Sequence, residues 1–225
     1  MIELDKVQLA YGGRPVLADL SLRLPEHRVG IIGANGSGKS TLARLLNGLV
    51  LPDAGHVRVD GLDSRADGRT LRRRVGFVFQ NPDNQIVMPT VAEDLAFGLT
   101  NLKLPKDEVA RRTEVALRRY DLWEARDLPA HRLSGGQKQL LAIAGVLAMQ
   151  PARLVMDEPT TLLDLRNARA IARAVAELDQ PVVVVSHDLD LLRDFDRVVM
   201  IDGGRVAADG PPGPVLADYI ARMGG

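Results

Sequence analysis

A glycine-rich run early in the chain has the residue types and spacing of a phosphate-binding loop. It reads Gly33-Ala34-Asn35-Gly36-Ser37-Gly38-Lys39-Ser40 and fits the pattern G-x-x-x-x-G-K-[ST] at every fixed position. The glycines allow backbone N–H groups to converge on phosphate oxygens, Lys39 can reach the outer phosphates, and Ser40 can be a ligand of Mg²⁺. The run could also be only a strand-to-helix turn. Because it follows an apolar run, residues 29–32, and opens a helical pattern, phosphate binding is favoured.

Two adjacent carboxylates end another apolar run. Asp157 and Glu158 follow Leu154-Val155-Met156, which has the pattern of a buried strand. Parallel α/β sheets bind ligands beyond the carboxyl ends of their strands, so Asp157 can lie beside the glycine-rich run and hold Mg²⁺ through its coordination shell. Glu158 is then placed to polarise an attacking water. Such a pair alone is more often a solvated strand end, but its occurrence with Lys39 and Ser40 in one chain favours the functional interpretation.

A third motif, Leu133-Ser134-Gly135-Gly136-Gln137, precedes a helical pattern. Ser134 and Gln137 match a capping box, so the segment could be only the start of a helix over residues 137–150. Two glycines after an N-cap do not serve a helix, however, because each destabilises it by about 1 kcal/mol relative to alanine. They are expected where a phosphate must approach the backbone closely.

The elements that must position these motifs predict an α/β fold. Leu20, Leu22 and Leu24 alternate with polar residues, as in a half-exposed antiparallel strand, whereas the continuous apolar runs 182–185 and 198–201 are typical of strands buried on both faces. Residues 91–150 have helical periodicity and no convincing strand, and a further helix is predicted over residues 165–178. We therefore predict a single domain in which residues 1–80 and 151–225 form the α/β core and residues 81–150 form a helical insertion.

Composition excludes several classes of protein. The 225 residues include 29 Lys+Arg and 29 Asp+Glu, so the formal net charge is zero and no global field favours nucleic acid as a partner. Cysteine is absent, which excludes a disulfide framework and thiolate-bound zinc. The longest strongly apolar run, residues 140–149, is half of the roughly 20 residues that a membrane span needs. The first residues lack a secretory signal, and we expect a cytoplasmic protein.

The LSGGQ run of residues 133–137, with the two motifs above, resembles the signature of the ATP-binding cassette (ABC) ATPases, and the resemblance extends over residues 11–204. It implies a P-loop NTPase cassette with a RecA-like parallel sheet, an N-terminal antiparallel β subdomain and an inserted helical subdomain. It also implies ATP hydrolysis with Mg²⁺ as cofactor. In this family the signature caps the γ-phosphate held by the other subunit, so the partner would be a second copy of this chain or a paralogous ATPase.

The resemblance also assigns roles to single residues. Tyr11 matches an aromatic that stacks on adenine, Gln80 a glutamine that contacts Mg²⁺ and the attacking water, His187 a histidine that contacts the γ-phosphate, and Asp164 an aspartate that couples the two sites of a dimer. Taken alone, Tyr11 and His187 are ordinary strand-end residues. The full nucleotide-binding set is Tyr11, Gly33, Asn35, Gly36, Ser37, Gly38, Lys39, Ser40 and Thr41. The run Thr161-Leu162-Leu163-Asp164-Leu165 departs from many relatives, which have a small residue before Leu-Asp and a proline after it.

The segment of residues 80–98 indicates the subtype. It looks like the corresponding loop of energy-coupling-factor (ECF) ATPases, which serve importers of vitamins, cobalt and nickel in prokaryotes. Its apolar residues Ile86, Val87, Met88 and Phe97 either cover the insertion's own core or form a groove for a cytoplasmic helix of a membrane partner. The resemblance implies a membrane coupling subunit and a substrate-binding membrane subunit as partners, a peripheral position on the cytoplasmic face of the cell membrane, and biotin ahead of cobalt or nickel as cargo.

Other functions within the same superfamily are alternatives. The chain could energise another ABC importer or an exporter. A chromosome-maintenance ATPase would need a long coiled coil, and the stretch between Gln80 and Leu133 is too short for one. A non-transport ATPase of translation or signalling usually carries two cassettes in one chain, whereas this chain has one. The residues after the hairpin turn Asp202-Gly203-Gly204 are too few for the regulatory domain of many sugar importers, so we expect a minimal cassette.

Overall fold

The computed structural model describes residues 1–161 and 163–224. Two compact units divide the chain: residues 1–76, 152–158 and 178–225 form the first, and residues 77–151 and 159–177 the second. The sequence placed residues 159–177 in the α/β core, whereas in the structure they group with the helices. The one-domain organisation stays a prediction. Within the described ranges, no helix is long and apolar enough to cross a membrane.

Ten strands and eight α-helices make up the secondary structure of the described residues. The strands are β1 (Ile2–Tyr11), β2 (Arg14–Leu24), β3 (Arg28–Ile32), β4 (Ala54–Val59), β5 (Leu62–Asp63), β6 (Val75–Val78), β7 (Arg153–Asp157), β8 (Val182–Val185), β9 (Arg197–Asp202) and β10 (Arg205–Gly210). The helices are α1 (Lys39–Asn47), α2 (Gly68–Arg74), α3 (Val91–Asn101), α4 (Lys106–Arg119), α5 (Gly135–Ala148), α6 (Leu165–Ala176), α7 (Leu189–Leu192) and α8 (Pro212–Met223).

An antiparallel sheet in the order β2-β1-β4-β5 is built from the N-terminal strands. The alternating leucines of β2 are buried, as predicted, and Leu24 and Leu22 pair with Ile2 and Leu4 of β1. The polar residues between them face outward, which is the period-two pattern of a strand that has one face in the core.

A second sheet has the order β10-β9-β3-β8-β7-β6. Its strands β3, β7, β8 and β9 are parallel, and their apolar runs are buried on both faces, as the sequence predicted. The hairpin predicted at residues 202–204 joins β9 to β10. Because β3, β7 and β8 are parallel neighbours, the residues that follow them meet at one edge of the sheet.

The second unit is helical, as predicted for residues 91–150. Helices α3, α4 and α5 pack against one another, with Leu95, Leu117 and Ile143 among their fully buried side chains. Helix α3 begins with a capping box in which Thr90 and Glu93 hydrogen-bond reciprocally. Helix α6 packs against α5, in line with the grouping of residues 159–177 with the helical unit.

Candidate nucleotide-binding site

The glycine-rich loop joins β3 to α1. Gly33 has φ +150°, and a Cβ there would lie 2.0 Å from the carbonyl oxygen of Ile201, so only glycine fits. Helix α1 begins at Lys39 after Gly38, which offers no side chain to cap it, and no acidic residue lies in its first turn. The positive end of the helix dipole is therefore left for an anion to compensate.

Lys39 points back into this loop. Its side chain is buried, and Nζ donates hydrogen bonds to the carbonyl oxygens of Gly33 and Ala34, both at 2.9 Å. Burial lowers the pKa of Lys39, while the carboxylates of Glu158 and Asp157 act in the opposite direction. The ammonium is thus held inside the loop, close to where phosphates would bind.

Ser40 and Asp157 bring two oxygen ligands together from distant parts of the chain. The Ser40 hydroxyl donates to Asp157 Oδ1 at 2.9 Å, and Asp157 is almost fully buried. Burial raises the pKa of Asp157, although the Ser40 hydrogen bond and the charges of Arg44 and Lys39 act to lower it. A buried carboxylate beside a hydroxyl is the donor set that a hard cation prefers, so these residues fit Mg²⁺.

A further buried oxygen lacks a partner in the same loop. Ser37 is only 5% exposed, and its Oγ accepts or donates no hydrogen bond among the residues that the structure describes. Leaving a buried hydroxyl unsatisfied costs about 1–3 kcal/mol. A ligand in the loop would supply the missing partner.

Glu158 and His187 meet at the ends of β7 and β8. These strands pair in parallel with Asp157 opposite Val185, so the residues that follow are neighbours. Glu158 Oε2 accepts the backbone N–H of His187, and Glu158 Oε1 lies 3.2 Å from His187 Nε2. Glu158 has φ +51°, which is uncommon for a residue other than glycine. The structure thereby unites Lys39, Ser40, Asp157, Glu158 and His187 at one sheet edge.

Tyr11 stands apart from that cluster. It is the last residue of β1, at the β1–β2 hairpin, and its side chain is 49% exposed. Asn35 and Gly36 are also exposed at the tip of the glycine-rich loop, whereas Thr41 is buried in the first turn of α1. An exposed ring is available for stacking, and the adenine role of Tyr11 stays a prediction.

The signature motif lies in the second unit, at the start of α5. Its capping box is present: the Ser134 hydroxyl accepts the N–H of Gln137, and Gln137 Oε1 accepts the N–H of Ser134. A Cβ on Gly136 would lie 2.3 Å from Cγ of Asn167, so packing against α6 explains this glycine. A Cβ on Gly135 would meet no described atom within 4 Å. Of the two signature glycines, only Gly135 has no packing contact among the described residues of its unit that would require glycine.

Asp164 lies close to the signature within the second unit. Its carboxylate caps α6 by accepting the N–H of Asn167 at 2.8 Å and that residue's side-chain amide at 3.0 Å. Asp164, Ser134 and Gln137 line a common cavity of about 540 Å³. Leu162, in the run that departs from many relatives, falls outside the described residues.

Gln80 also belongs to the second unit, where it is exposed just after β6.

The loop before α3 presents apolar side chains to solvent. Asp94 Oδ1 accepts the backbone N–H groups of both Val87 and Met88, at 2.8 and 3.0 Å, and so fixes the loop. Val87 is 62% and Phe97 44% exposed, whereas Ile86 and Met88 are half-buried. The core explanation therefore does not apply to Val87 and Phe97, and the groove stays a prediction for them.

Comparison with known proteins decides the family. The sequence pattern described as "ABC transporter" matches residues 17–161. The chain belongs to the ABC transporter family. ATP hydrolysis coupled to transport is characteristic of this family, so the protein is an ATPase, as predicted.

Relatives of the ATPase extend over almost its whole length. It is 62% identical over 223 residues to a putative ABC transporter ATP-binding protein of Deinococcus radiodurans, covering 99% of both chains. It is 45% identical to the biotin transport ATP-binding protein BioM of Rhodobacter capsulatus, covering 99% of this chain and 95% of that one. It is 45% identical to the energy-coupling factor transporter ATP-binding protein EcfA1 of Caldanaerobacter subterraneus, covering 91% and 76%. The ATPase is thus a subunit of the ECF type.

Solved structures confirm the predicted fold class. One is cbiO1 from Clostridium perfringens, part of the ABC transporter complex cbiONQ, with a TM-score of 0.85, 35% identity, and coverage of 98% of this chain and 92% of that one. Another is the dimeric post-hydrolysis state of the ATP-binding cassette MJ0796 bound to ADP and Pi, with a TM-score of 0.84, 30% identity, and coverage of 94% and 99%.

Sequence reasoning about the ATPase missed Tyr219. Its hydroxyl lies 3.3 Å from Nδ1 of His187, on the ring nitrogen opposite to the one that faces Glu158. Tyr219 is the only one of these residues that comes from α8, far along the chain from every motif. A lone tyrosine on an amphipathic helix carries no sequence signal, so only the tertiary structure could reveal this contact.

Proposed function

We propose that this ATPase binds Mg-ATP at the loop of residues 33–40 and hydrolyses it at the carboxyl ends of β3, β7 and β8. The observation that carries the proposal is the meeting of Lys39, the Ser40–Asp157 pair and the Glu158–His187 pair at one sheet edge. These groups supply positive charge, oxygen ligands and an acceptor for the water's proton, which together are the requirements of phosphoryl transfer to water.

The protein groups act by positioning and by stabilising charge. Lys39 exchanges its two carbonyl acceptors for phosphate oxygens, and the N–H groups of the first turn of α1, which no side chain caps, donate to the same phosphates. Glu158 orients the attacking water and accepts a proton from it as a general base. His187 donates from Nε2 to the γ-phosphate, where negative charge must be balanced as the bond to the leaving group breaks.

In this proposal Ser40 and Asp157 would hold Mg²⁺, and Gln80 would be the further oxygen ligand that the resemblance to ABC ATPases implies. The metal ion would help to balance the negative charge of the phosphates. Burial raises the pKa of Asp157, the Ser40 hydroxyl and the nearby cations Arg44 and Lys39 oppose that shift, and the Ser40 hydrogen bond orients the carboxylate. Asp157, the last residue of β7, and Glu158, which follows it, therefore have different tasks: Asp157 binds the metal, and Glu158 activates the water.

A second chain completes the site. We infer that residues 133–137 of another copy, or of a paralogue, cap the γ-phosphate in a head-to-tail dimer, with Asp164 coupling the two sites. The unexplained glycine, Gly135, supports this inference because its open surroundings let a phosphate approach the backbone. Both motif sets are intact in one chain, and the similar cassette MJ0796 forms a dimer that binds ADP and Pi.

At the membrane, the ATPase drives import through a coupling subunit that docks a cytoplasmic helix against Val87 and Phe97. We infer a peripheral position on the cytoplasmic face and biotin as the cargo of the associated membrane subunit. Full-length relatives named biotin transport ATP-binding proteins support biotin. Cobalt or nickel is the second candidate, on the resemblance of residues 80–98 to loops of ECF ATPases that serve metal importers.

The test is transport by the intact complex. The membrane subunits that co-purify with the ATPase are reconstituted in vesicles, and uptake of labelled biotin, cobalt and nickel is measured with ATP on the ATPase side. We expect ATP-dependent biotin uptake that a Glu158→Gln complex lacks. Uptake of cobalt or nickel without uptake of biotin would show that the cargo is a metal ion. Equal uptake by the wild-type and Glu158→Gln complexes would contradict a role for hydrolysis at this site.

A further inference from the structure

The C-terminal helix reaches the candidate catalytic centre. Helix α8 packs against β9 and β10, with Val215 and Leu216 buried as its anchors. Tyr219 lies four residues after Val215, on the same face of the helix. This places its hydroxyl 3.3 Å from Nδ1 of His187.

Two side chains flank the His187 ring, one at each nitrogen. Nε2 lies 3.2 Å from Oε1 of Glu158, and Nδ1 lies 3.3 Å from the hydroxyl of Tyr219. In the tautomer that carries its proton on Nε2, the ring donates towards Glu158 and Nδ1 is an acceptor. The Tyr219 hydroxyl is placed to donate to Nδ1 of that tautomer.

The tyrosine is suited to this task because it keeps its proton. Burial, and after it the negative charge of Glu158, raises the pKa of Tyr219 above its ordinary value. Tyr219 is half-buried, whereas the His187 side chain is 40% exposed, so the histidine is accessible to a ligand while the tyrosine behind it is anchored on α8.

We propose that Tyr219 is a positioning residue for ATP hydrolysis: it donates to Nδ1 of His187 and thereby orients the ring with Nε2–H facing Glu158 and the transferred phosphate. This inference rests on the proposed role of His187. It makes the C-terminal helix part of the catalytic apparatus, although the helix contributes no group that touches ATP. Loss of the Tyr219 hydrogen bond would leave the ring held from one side only, by Glu158, and would lower turnover without changing the nucleotide-binding loop.

The first experiment measures the hydrogen bond itself. The chain has four histidines, so ¹⁵N-histidine labelling gives a spectrum in which His187→Ala assigns the His187 signals. Tyr219→Phe removes only the hydroxyl, and we expect the Nδ1 resonance to move from the shift of a hydrogen-bonded acceptor towards that of an unbonded nitrogen. Unchanged signals of the other three histidines report that the variant is folded. The control is Ile220→Ala, which trims an exposed side chain on the same helix. An Nδ1 resonance identical in wild type and Tyr219→Phe would overturn the proposal.

The second experiment separates positioning from general support of the fold. A hydrogen bond of this kind is worth about 0.5–1.5 kcal/mol, so Tyr219→Phe should lower kcat of the transporter complex about two- to tenfold and leave KM unchanged. In a His187→Ala background the same change should have no further effect, because the residue that it positions is gone. An equal loss in both backgrounds would show a merely structural role and overturn the inference. Wild-type turnover of His187→Ala would instead refute the proposed function of His187, a different result from an unchanged Nδ1 resonance.

Discussion

At the scale of single residues, contacts within the protein hold the charged groups of the site in place. Lys39 is satisfied by two loop carbonyls, Asp157 by Ser40, and Glu158 by the backbone and ring of His187. Phosphates and a metal ion would replace weak internal partners with strong ones while the side chains stay where they are. Such preorganisation is the main source of catalytic power in reactions that depend on charge stabilisation.

Lys39 and His187 should differ in the kinetic step that they affect. Lys39→Ala should weaken nucleotide binding, because the ammonium contacts ground-state phosphates. His187→Ala should bind ATP as wild type does but lose on the order of a hundredfold to a thousandfold in turnover, the usual effect of removing one preorganised contact to the transition state. Fluorescent-nucleotide titration and phosphate release measure the two quantities separately. Equal turnover of wild type and His187→Ala would contradict the assignment.

At the scale of secondary-structure elements, strand ends and helix starts do the positioning. Parallel pairing of β3, β7 and β8 brings the loop, the two carboxylates and His187 to one edge, while the capping box at Ser134 fixes the start of α5. The two signature positions require glycine for different reasons. Gly136 makes room for Asn167 on α6, whereas Gly135 has open space beside it, which we propose a phosphate fills.

The signature glycines provide a matched pair of variants. Gly136→Ala should lower the free energy of unfolding by about 1–3 kcal/mol through overpacking against Asn167, and Asn167→Ala in the same chain should restore part of it. Gly135→Ala should be at least as stable as wild type, since alanine favours a helix over glycine, but it should lose ATP-dependent dimerisation because the added methyl group faces the proposed phosphate. Thermal denaturation and light scattering measure the two effects. Equal destabilisation by both alanines would refute the distinction.

A charged substitution in the loop before α3 should weaken binding to the membrane subunits and leave the nucleotide site intact. Apolar anchors at such contacts contribute about 2 kcal/mol, roughly thirtyfold in affinity, so Val87→Asp should release the ATPase from its membrane subunits. Val115→Asp is the matched control, because Val115 is similarly exposed but belongs to a different element, α4. Co-purification measures the release, and ATP affinity of the isolated chain shows whether the nucleotide site is intact. Normal co-purification of Val87→Asp would place the docking surface elsewhere.

At the scale of the whole molecule, the two units carry different parts of the proposed machinery. The first contains the loop, both carboxylates and His187, and the second contains Gln80, the signature and Asp164. In the proposed dimer the first unit of one copy works with the signature of another, so binding of ATP and association of two chains are thermodynamically linked.

Glu158→Gln should make that linkage visible. Glutamine keeps the size and hydrogen-bonding capacity of the side chain but cannot draw the proton from water, so ATP should bind and persist. We expect a dimer in saturating Mg-ATP and a monomer without nucleotide, measured by light scattering. Lys39→Ala combined with Glu158→Gln is the control, since it should lose ATP and stay monomeric. A monomeric Glu158→Gln in saturating Mg-ATP would contradict the closed homodimer.

The sequence by itself determined the motifs, the strand and helix types, and the family. Hydrophobic period and glycine spacing are local properties, so the loop at Gly33, the carboxylates after β7 and the capping box at Ser134 could be predicted from neighbouring residues. Contacts between residues far apart in the chain could not. The grouping of α6 with the helical unit, the packing of Gly136 on Asn167, and the approach of Tyr219 to His187 depend on how whole elements pack. Packing is decided by the complementary shapes of many side chains at once, and no single stretch of sequence contains that information.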